Sequence, residues 1–370
     1  MRRMISALLV DEGYEVSTAV DGVDGLAKVR EAAPDLIISD YEMPELDGPG
    51  FCRAIKADPE TRALPVIMLT TLGAVQSKVV GLDAGADDYL EKPKSPEDIQ
   101  ELYARIRAQL RISDLRKELA DRNDQLENAR RKTDLELSLA RKVQLGLMPK
   151  PPSPRGVLSM AVRYHPANAL GGDVYDFTVL DGNKLGVLVA DVSGHGVNSA
   201  LLSGMVKTLA APLTASMPPD KVLAGLDVAI EQYFPEAYFC TGFYLIIDEA
   251  DGAITYAGVG HPPALIVGKA GIRSLDSDPG LLGIGMVDGL AVRAETLGPG
   301  ESLLVYTDGL PDAMDPADAL FGEPRIRSVM EAHAHASPSA ILDAIEAAVA
   351  AHVRPGQAGD DINMVLIQRP

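Results

Sequence analysis

Four Asp-bearing segments stand out in this chain of 370 residues. Gly171-Gly172-Asp173 is followed by Asp191-Val192-Ser193-Gly194-His195-Gly196, and much later by Thr307-Asp308-Gly309 and Gly359-Asp360-Asp361-Ile362-Asn363. Each sets a carboxylate beside a glycine turn or at the end of an apolar run, where backbone can approach an ion with no Cβ in the way. Oxygen donors without Cys or clustered His describe a Mg2+ or Mn2+ site rather than a zinc site. Carboxylates converging around two such ions would neutralise a phosphoryl group and activate a water in line with it. Isolated pairs such as Asp181-Gly182 and Asp251-Gly252 read as plain turns. A second constellation lies nearer the start. Asp40 ends the apolar run Leu36-Ile37-Ile38-Ser39, Thr70 ends Pro65-Val66-Ile67-Met68-Leu69, and Lys92 follows Tyr89-Leu90. A carboxylate, a hydroxyl and an ammonium on neighbouring strand ends can accept, sense and neutralise a phosphoryl group.

These residues need scaffolds, and the hydrophobic pattern supplies three. Over residues 1–107, helical segments at 1–9, 22–30 and 75–84 alternate with strands at 14–19, 36–39, 65–69 and 89–90, the pattern of an open parallel α/β sheet. Residues 108–148 form a helical linker. No Gly lies between residues 86 and 145 and no Pro between 97 and 148. Ile112, Leu115, Leu119, Leu126 and Ala129 keep 3/4 spacing, and Leu135, Leu139 and Val143 continue in a shifted frame. A stutter near residues 130–133 in a parallel coiled coil joining a homodimer explains both frames. The alternative is a long helix lying on its own domain. Residues 149–370 carry strands at 158–163, 174–180, 184–191, 240–247, 253–259, 264–267, 302–307 and 363–368, with helices at 199–209, 219–233 and 337–352. That reads as an α+β domain of stacked sheets flanked by helices, so the chain is multidomain.

Composition narrows the function classes. With 34 Lys plus Arg against 53 Asp plus Glu, the net charge is −19. So acidic a chain is unsuited to nonspecific binding of nucleic acid or anionic membranes, both of which rest on cationic surface. The locally basic stretch is the linker, with 12 basic and 8 acidic residues over 101–150. No basic recognition helix or zinc pattern supports a transcriptional regulator. Two cysteines make no disulfide framework, and no apolar run approaches the roughly 20 residues of a membrane span. A cytoplasmic location is expected.

The first constellation, with the runs Gln144-Leu145-Gly146-Leu147-Met148-Pro149 and Gly260-His261-Pro262-Pro263, resembles the RsbU/SpoIIE-like branch of the metal-dependent (PP2C-like) serine/threonine phosphatases. The resemblance spans about residues 144–369. It implies a PP2C-like β-sandwich flanked by helices and two Mn2+ or Mg2+ ions. Asp173 and Asp191 would bridge them, the Val192 carbonyl would be a backbone ligand, and Asp308 and Asp360 would complete the cluster, Asp361 being the less favoured neighbour. His195 has two readings: shaping the Gly194–Gly196 turn, or assisting the leaving oxygen. His261 is read as structural, in a place where the branch often has Asn at Pro262. The implied substrate is a phosphoserine or phosphothreonine protein of the anti-sigma-factor-antagonist type.

The second constellation resembles a two-component receiver over residues 1–107. The resemblance makes Asp40 the phosphoacceptor from an upstream histidine kinase, Thr70 and Tyr89 the switch pair, and Lys92 the phosphoryl-contacting lysine. The first strand and its acidic pair are missing, and Asp11-Glu12 is no substitute because it precedes residues 14–19. Either the true start lies upstream, which is the favoured expectation, or the receiver is degenerate. Receiver Mg2+ is expected only with that acidic pair restored. The whole reads as a receiver-controlled phosphatase of the stress-response, partner-switching kind. The rival is a catalytically silent scaffold that binds anti-sigma or antagonist proteins.

Overall fold

The computed structural model describes residues 1–71, 83–152, 157–194, 196–235, 238–285, 287, 289–353 and 359–370. Its contacts group into two compact units, Met1–Arg131 and Lys132–Pro370. No helix among the described residues is long and apolar enough to cross a membrane.

In the first unit, β1 (Ile37–Asp40), β2 (Val66–Thr70) and β3 (Asp88–Glu91) form a parallel sheet in that order. Every residue of β2 is buried, because both faces are covered. Val66 and Met68 pack with Val29 of α2 (Gly22–Glu31) and Phe51, Cys52 and Ile55 of α3 (Gly48–Ala57). Ile67 and Leu69 face Ile5 and Leu9 of α1 (Arg2–Asp11), and Leu102, Tyr103 and Ile106 of α4 (Pro96–Leu147). Asp21 and Asp47 cap α2 and α3 by accepting the backbone N–H of Asp24 and Gly50.

Residues 14–19, expected as a strand, are not one. An apolar, β-branched stretch becomes a strand only beside a partner that completes its ladder. No described strand runs along this segment. The expected helix at 75–84 lies almost wholly outside the described residues. Helix α4 is one uninterrupted element of 52 residues, so the anticipated boundary at residues 107 and 108 falls inside it. Its seam residues Ile112, Leu115, Leu119, Leu126, Leu135, Leu139 and Val143 are all exposed. The pairs Glu118–Arg122 and Glu127–Arg131 brace its surface one turn apart.

The second unit stacks two antiparallel five-stranded sheets. One runs β10 (Gly271–Leu275), β9 (Ala264–Gly268), β12 (Glu301–Tyr306), β13 (Ile362–Arg369), β4 (Ser159–His165). The other runs β11 (Arg293–Thr296), β8 (Ala253–Val259), β7 (Cys240–Asp248), β6 (Lys184–Val192), β5 (Val174–Leu180). Alternation along the strands dictates four layers. Leu185, Val187 and Val189 of β6 meet Leu303, Val305, Val365 and Ile367 between the sheets. Leu188, Ala190 and Val192 face outward, onto α5 (Val197–Thr214) and α6 (Pro219–Tyr233). Leu304, Tyr306, Met364 and Leu366 face α7 (Gly322–Ala332) and α8 (Pro338–His352) on the other side. The β5–β6 turn places Gly182 and Asn183 at positive φ, as a tight hairpin requires.

Candidate active site

Strand register brings the four Asp segments to one rim of the sandwich. β5 pairs with β6 antiparallel, Val174 opposite Ala190, so Asp173 and Asp191 emerge side by side from one sheet. β12 pairs with β13, Tyr306 opposite Met364, so the segments bearing Asp308 and Asp360 emerge together from the other. The two halves are tied across the gap: the Thr307 hydroxyl donates to Asp173 Oδ2 at 2.6 Å.

Burial sorts these carboxylates. Asp173 is 1% exposed, Asp191 and Asp308 are half-buried, and Asp360 is exposed. Burial first, then the neighbouring Asp191 charge, pushes the Asp173 carboxyl well above the ordinary carboxylate range. Burial, Asp308 and Asp360 together push Asp191 up to about 7. Burial and then Asp360 raise Asp308. Removed from water and crowded by like charge, such groups resist ionisation until a cation compensates them.

Two glycines shape the rim. A Cβ on Gly172 would stand 2.7 Å from the carbonyl oxygen of the buried Val192, so only glycine lets the Asp173 loop pack this close to it. A Cβ on Gly309 would stand 2.1 Å from the Asp361 carbonyl oxygen, so the Asp308 turn closes on the last strand only with glycine there. Asp361 itself is buried and accepts the N–H groups of Ala167 and Gly172. It fastens the Asp173 loop from below, while Asp360 looks outward.

The donor set suits hard divalent cations: clustered carboxylate oxygens beside the Val192 carbonyl, with no thiol or imidazole among the described donors. Among the described residues, no three acidic, imidazole or thiol side chains already stand at ligand distance around one point. His195 lies outside the described residues. His261 is buried, with Nδ1 2.9 Å from Thr241 Oγ1 and its ring beside Phe243. Burial drives its pKa down to about 3, as for a neutral core imidazole.

Gln144 and Thr307 belong to quoted motifs but had no assigned role. Gln144, near the end of α4, is buried, and its amide pairs with both backbone groups of Gly171: Nε2 donates to the carbonyl at 2.6 Å, Oε1 accepts the N–H at 3.3 Å. It also donates to Ser203 Oγ of α5 at 3.3 Å. The signal in the sequence was one polar side chain set within the apolar run Val143–Met148.

The second constellation gathers at the carboxyl ends of β1, β2 and β3. Lys92 Nζ stands 2.7 Å from Asp40 Oδ2. Thr70 is buried between them in the sheet, and Lys92 N–H donates to its carbonyl at 2.9 Å. Tyr89 packs edge-on to Tyr41, and burial raises its phenol to about 12.

Residues 181–370 match the Stage II sporulation protein E (SpoIIE) family, and residues 1–104 match the response regulator receiver domain. Over 199 residues the chain is 33% identical to the phosphoserine phosphatase RsbP of Bacillus subtilis, covering 51% of this chain and 47% of that protein. Over 111 residues it is 45% identical to the DNA-binding dual master transcriptional regulator RpaA of Synechocystis, covering 30% of this chain and 45% of that protein. The chain thus spans less than half the length of these curated relatives. The SiaA-PP2C domain of Pseudomonas aeruginosa shares the fold, with a TM-score of 0.58 at 21% identity over 65% of this chain and 98% of that one. The RsbU and RsbW domains of Rv1364c from Mycobacterium tuberculosis give 0.50 at 29% identity over 57% and 60%.

Proposed function

Because this chain belongs to the SpoIIE phosphatase family and carries a response regulator receiver domain, we propose that it is a metal-dependent protein serine/threonine phosphatase under receiver control. The observation that carries this reading is the meeting of Asp173 and Asp191 from one sheet with Asp308 and Asp360 from the other, close enough for each charge to oppose ionisation of the next. Such a like-charge cluster costs stability until cations compensate it, as a metal centre would.

Asp173, Asp191, Asp308, Asp360 and the Val192 carbonyl are the groups that would hold two Mn2+ or Mg2+ ions. When bound, those ions supply Lewis acidity and an activated water for attack on phosphorus, with no phosphoenzyme. The chain's own contribution is placement. Asp361 and Gln144 fix the Gly171–Gly172 loop from two sides, and Gly309 seats the Asp308 turn against β13.

The substrate reading is a phosphoserine or phosphothreonine protein of the anti-sigma-factor-antagonist type. The likeness to a phosphoserine phosphatase supports it. Asp40 would take a phosphoryl group from a histidine kinase, with Lys92 already beside it and Thr70 and Tyr89 as the responding pair. The exposed apolar seam of α4 would join two copies as a coiled coil.

The test is phosphate release from a phosphoserine antagonist protein across a Mn2+ range, comparing wild type with Asp173→Asn and Asp308→Asn. Metal-dependent turnover in the wild type that both substitutions abolish is the expected result. A wild type that binds the antagonist tightly and never turns it over would replace the enzyme with the scaffold.

A further inference from the structure

We propose that Thr307 is a positioning residue that sets the orientation of the Asp173 carboxylate toward the bound metal ions. This rests on the metal-centre reading above.

Thr307 is fully buried at the junction of three Asp-bearing segments. Its backbone N–H donates to the Asn363 carbonyl at 3.1 Å. The Asn363 N–H returns a bond to Thr307 Oγ1 at 2.9 Å. The hydroxyl then donates to Asp173 Oδ2 at 2.6 Å. One side chain therefore links the segment of Asp308, the segment of Asp360 and the segment of Asp173, across the two sheets.

A hydroxyl has one proton to give and two lone pairs to offer. Here the Asn363 N–H occupies a lone pair, and the proton has two acceptors in reach. The Asp361 carbonyl stands at 3.5 Å, at the limit of a hydrogen bond, whereas Asp173 Oδ2 is at 2.6 Å and is the stronger acceptor once a bound cation keeps the carboxyl ionised. The proton goes to Asp173. That anchors the carboxylate through Oδ2 and fixes its rotamer. Second-layer donors of this kind orient metal-binding carboxylates and tune their affinity.

Valine replaces the hydroxyl by a methyl of nearly the same shape, alanine removes both branches, and serine keeps the hydroxyl. The experiment is calorimetric titration of the metal-stripped full chain with Mn2+ for wild type, Thr307→Val, Thr307→Ala and Thr307→Ser, with circular dichroism to establish folding. Both Thr307→Val and Thr307→Ala are expected to bind Mn2+ about 10–100-fold more weakly, and Thr307→Ser to match wild type. If Thr307→Val does not fold, the alanine and serine pair decides. Wild-type affinity in the variants lacking the hydroxyl would overturn the proposal, as would serine losing as much affinity as alanine. A wild type that takes up no Mn2+ would instead overturn the metal-centre reading itself.

Discussion

Replacing Gln144 by leucine isolates the join between α4 and the Asp173 loop. The side chain is 6% exposed and satisfies both backbone groups of Gly171, which is itself buried. Leucine fills a similar volume but strands the Gly171 N–H and leaves its carbonyl with only the Ser203 hydroxyl at 3.5 Å. A stranded buried N–H costs about 1–3 kcal/mol, and the weakened carbonyl bond adds to it. That energy falls on the segment two residues before Asp173, so the loop relaxes to recover partners and carries the carboxylate out of register with Asp191. The expected outcome is a rise of about 10–100-fold in the Mn2+ concentration for half-maximal turnover, with turnover at saturating metal falling less. Glutamate at the same position keeps one acceptor and no amide donor, and should stand between. The assay is phosphate release against Mn2+ for wild type, Gln144→Leu and Gln144→Glu, beside thermal unfolding of the metal-free proteins. An unchanged Mn2+ requirement in Gln144→Leu, with the protein folded, would refute the reasoning that this amide holds the loop.

Asp191 should leave a pH signature in the metal-free protein. Its folded pKa of about 7 lies above the unfolded value near 3.8, so the folded state holds the extra proton between these limits. Stability should therefore fall as pH rises through that window, by on the order of a few kcal/mol. Urea unfolding in chelator at pH 5 and pH 8 should show this loss in wild type and a smaller one in Asp191→Asn; equal slopes would remove Asp191 as the source. Gly309→Ala should unfold at lower temperature than wild type, because its Cβ would stand 2.1 Å from the Asp361 carbonyl oxygen. An unchanged melting temperature would mean the Asp308 turn is not closed as described. Leu119→Pro breaks α4 at a cost of about 3 kcal/mol, and should abolish any receiver dependence of turnover while sparing the basal rate. Intact regulation would show that α4 does not carry the signal.

Much of this architecture is written plainly in the hydrophobic pattern. The strands at Val174–Leu180 and Ala253–Val259 and the helix at Pro219–Tyr233 were legible to the residue. Their apolar periods are strong and their ends carry turn residues or proline. The strands at Gly271–Leu275 and Arg293–Thr296 were not, because sheet-edge segments with few apolar side chains look like loops until a neighbour pairs with them. The helix at Gly322–Ala332 hides behind Gly322 and Pro324, residues that ordinarily end helices. Residues 14–19 show the reverse failure: the local preference is for a strand, and no described strand pairs with them.

The site divides along the same line. Asp beside Gly is a local signal, so the carboxylates could be picked out one motif at a time. The bonds that aim them are contacts between residues far apart in sequence. Nothing near Thr307 names Asp173, and nothing near Gln144 names Gly171. Their partners are fixed by sheet register and by where α4 ends.

The order of strands in the sandwich also bears on how the protein is made. The first and last strands of the sandwich, Ser159–His165 and Ile362–Arg369, lie side by side, and the last also pairs with the strand that carries Asp308 to the rim. A ribosome thus delivers Asp173 and Asp191 near the middle of the 370-residue chain, and they wait until the closing strand slots between its neighbours. Pairings so distant in sequence form slowly. On the phosphatase reading proposed above, the site is complete only when the closing strand has joined its neighbours, so hydrolysis would begin late in synthesis.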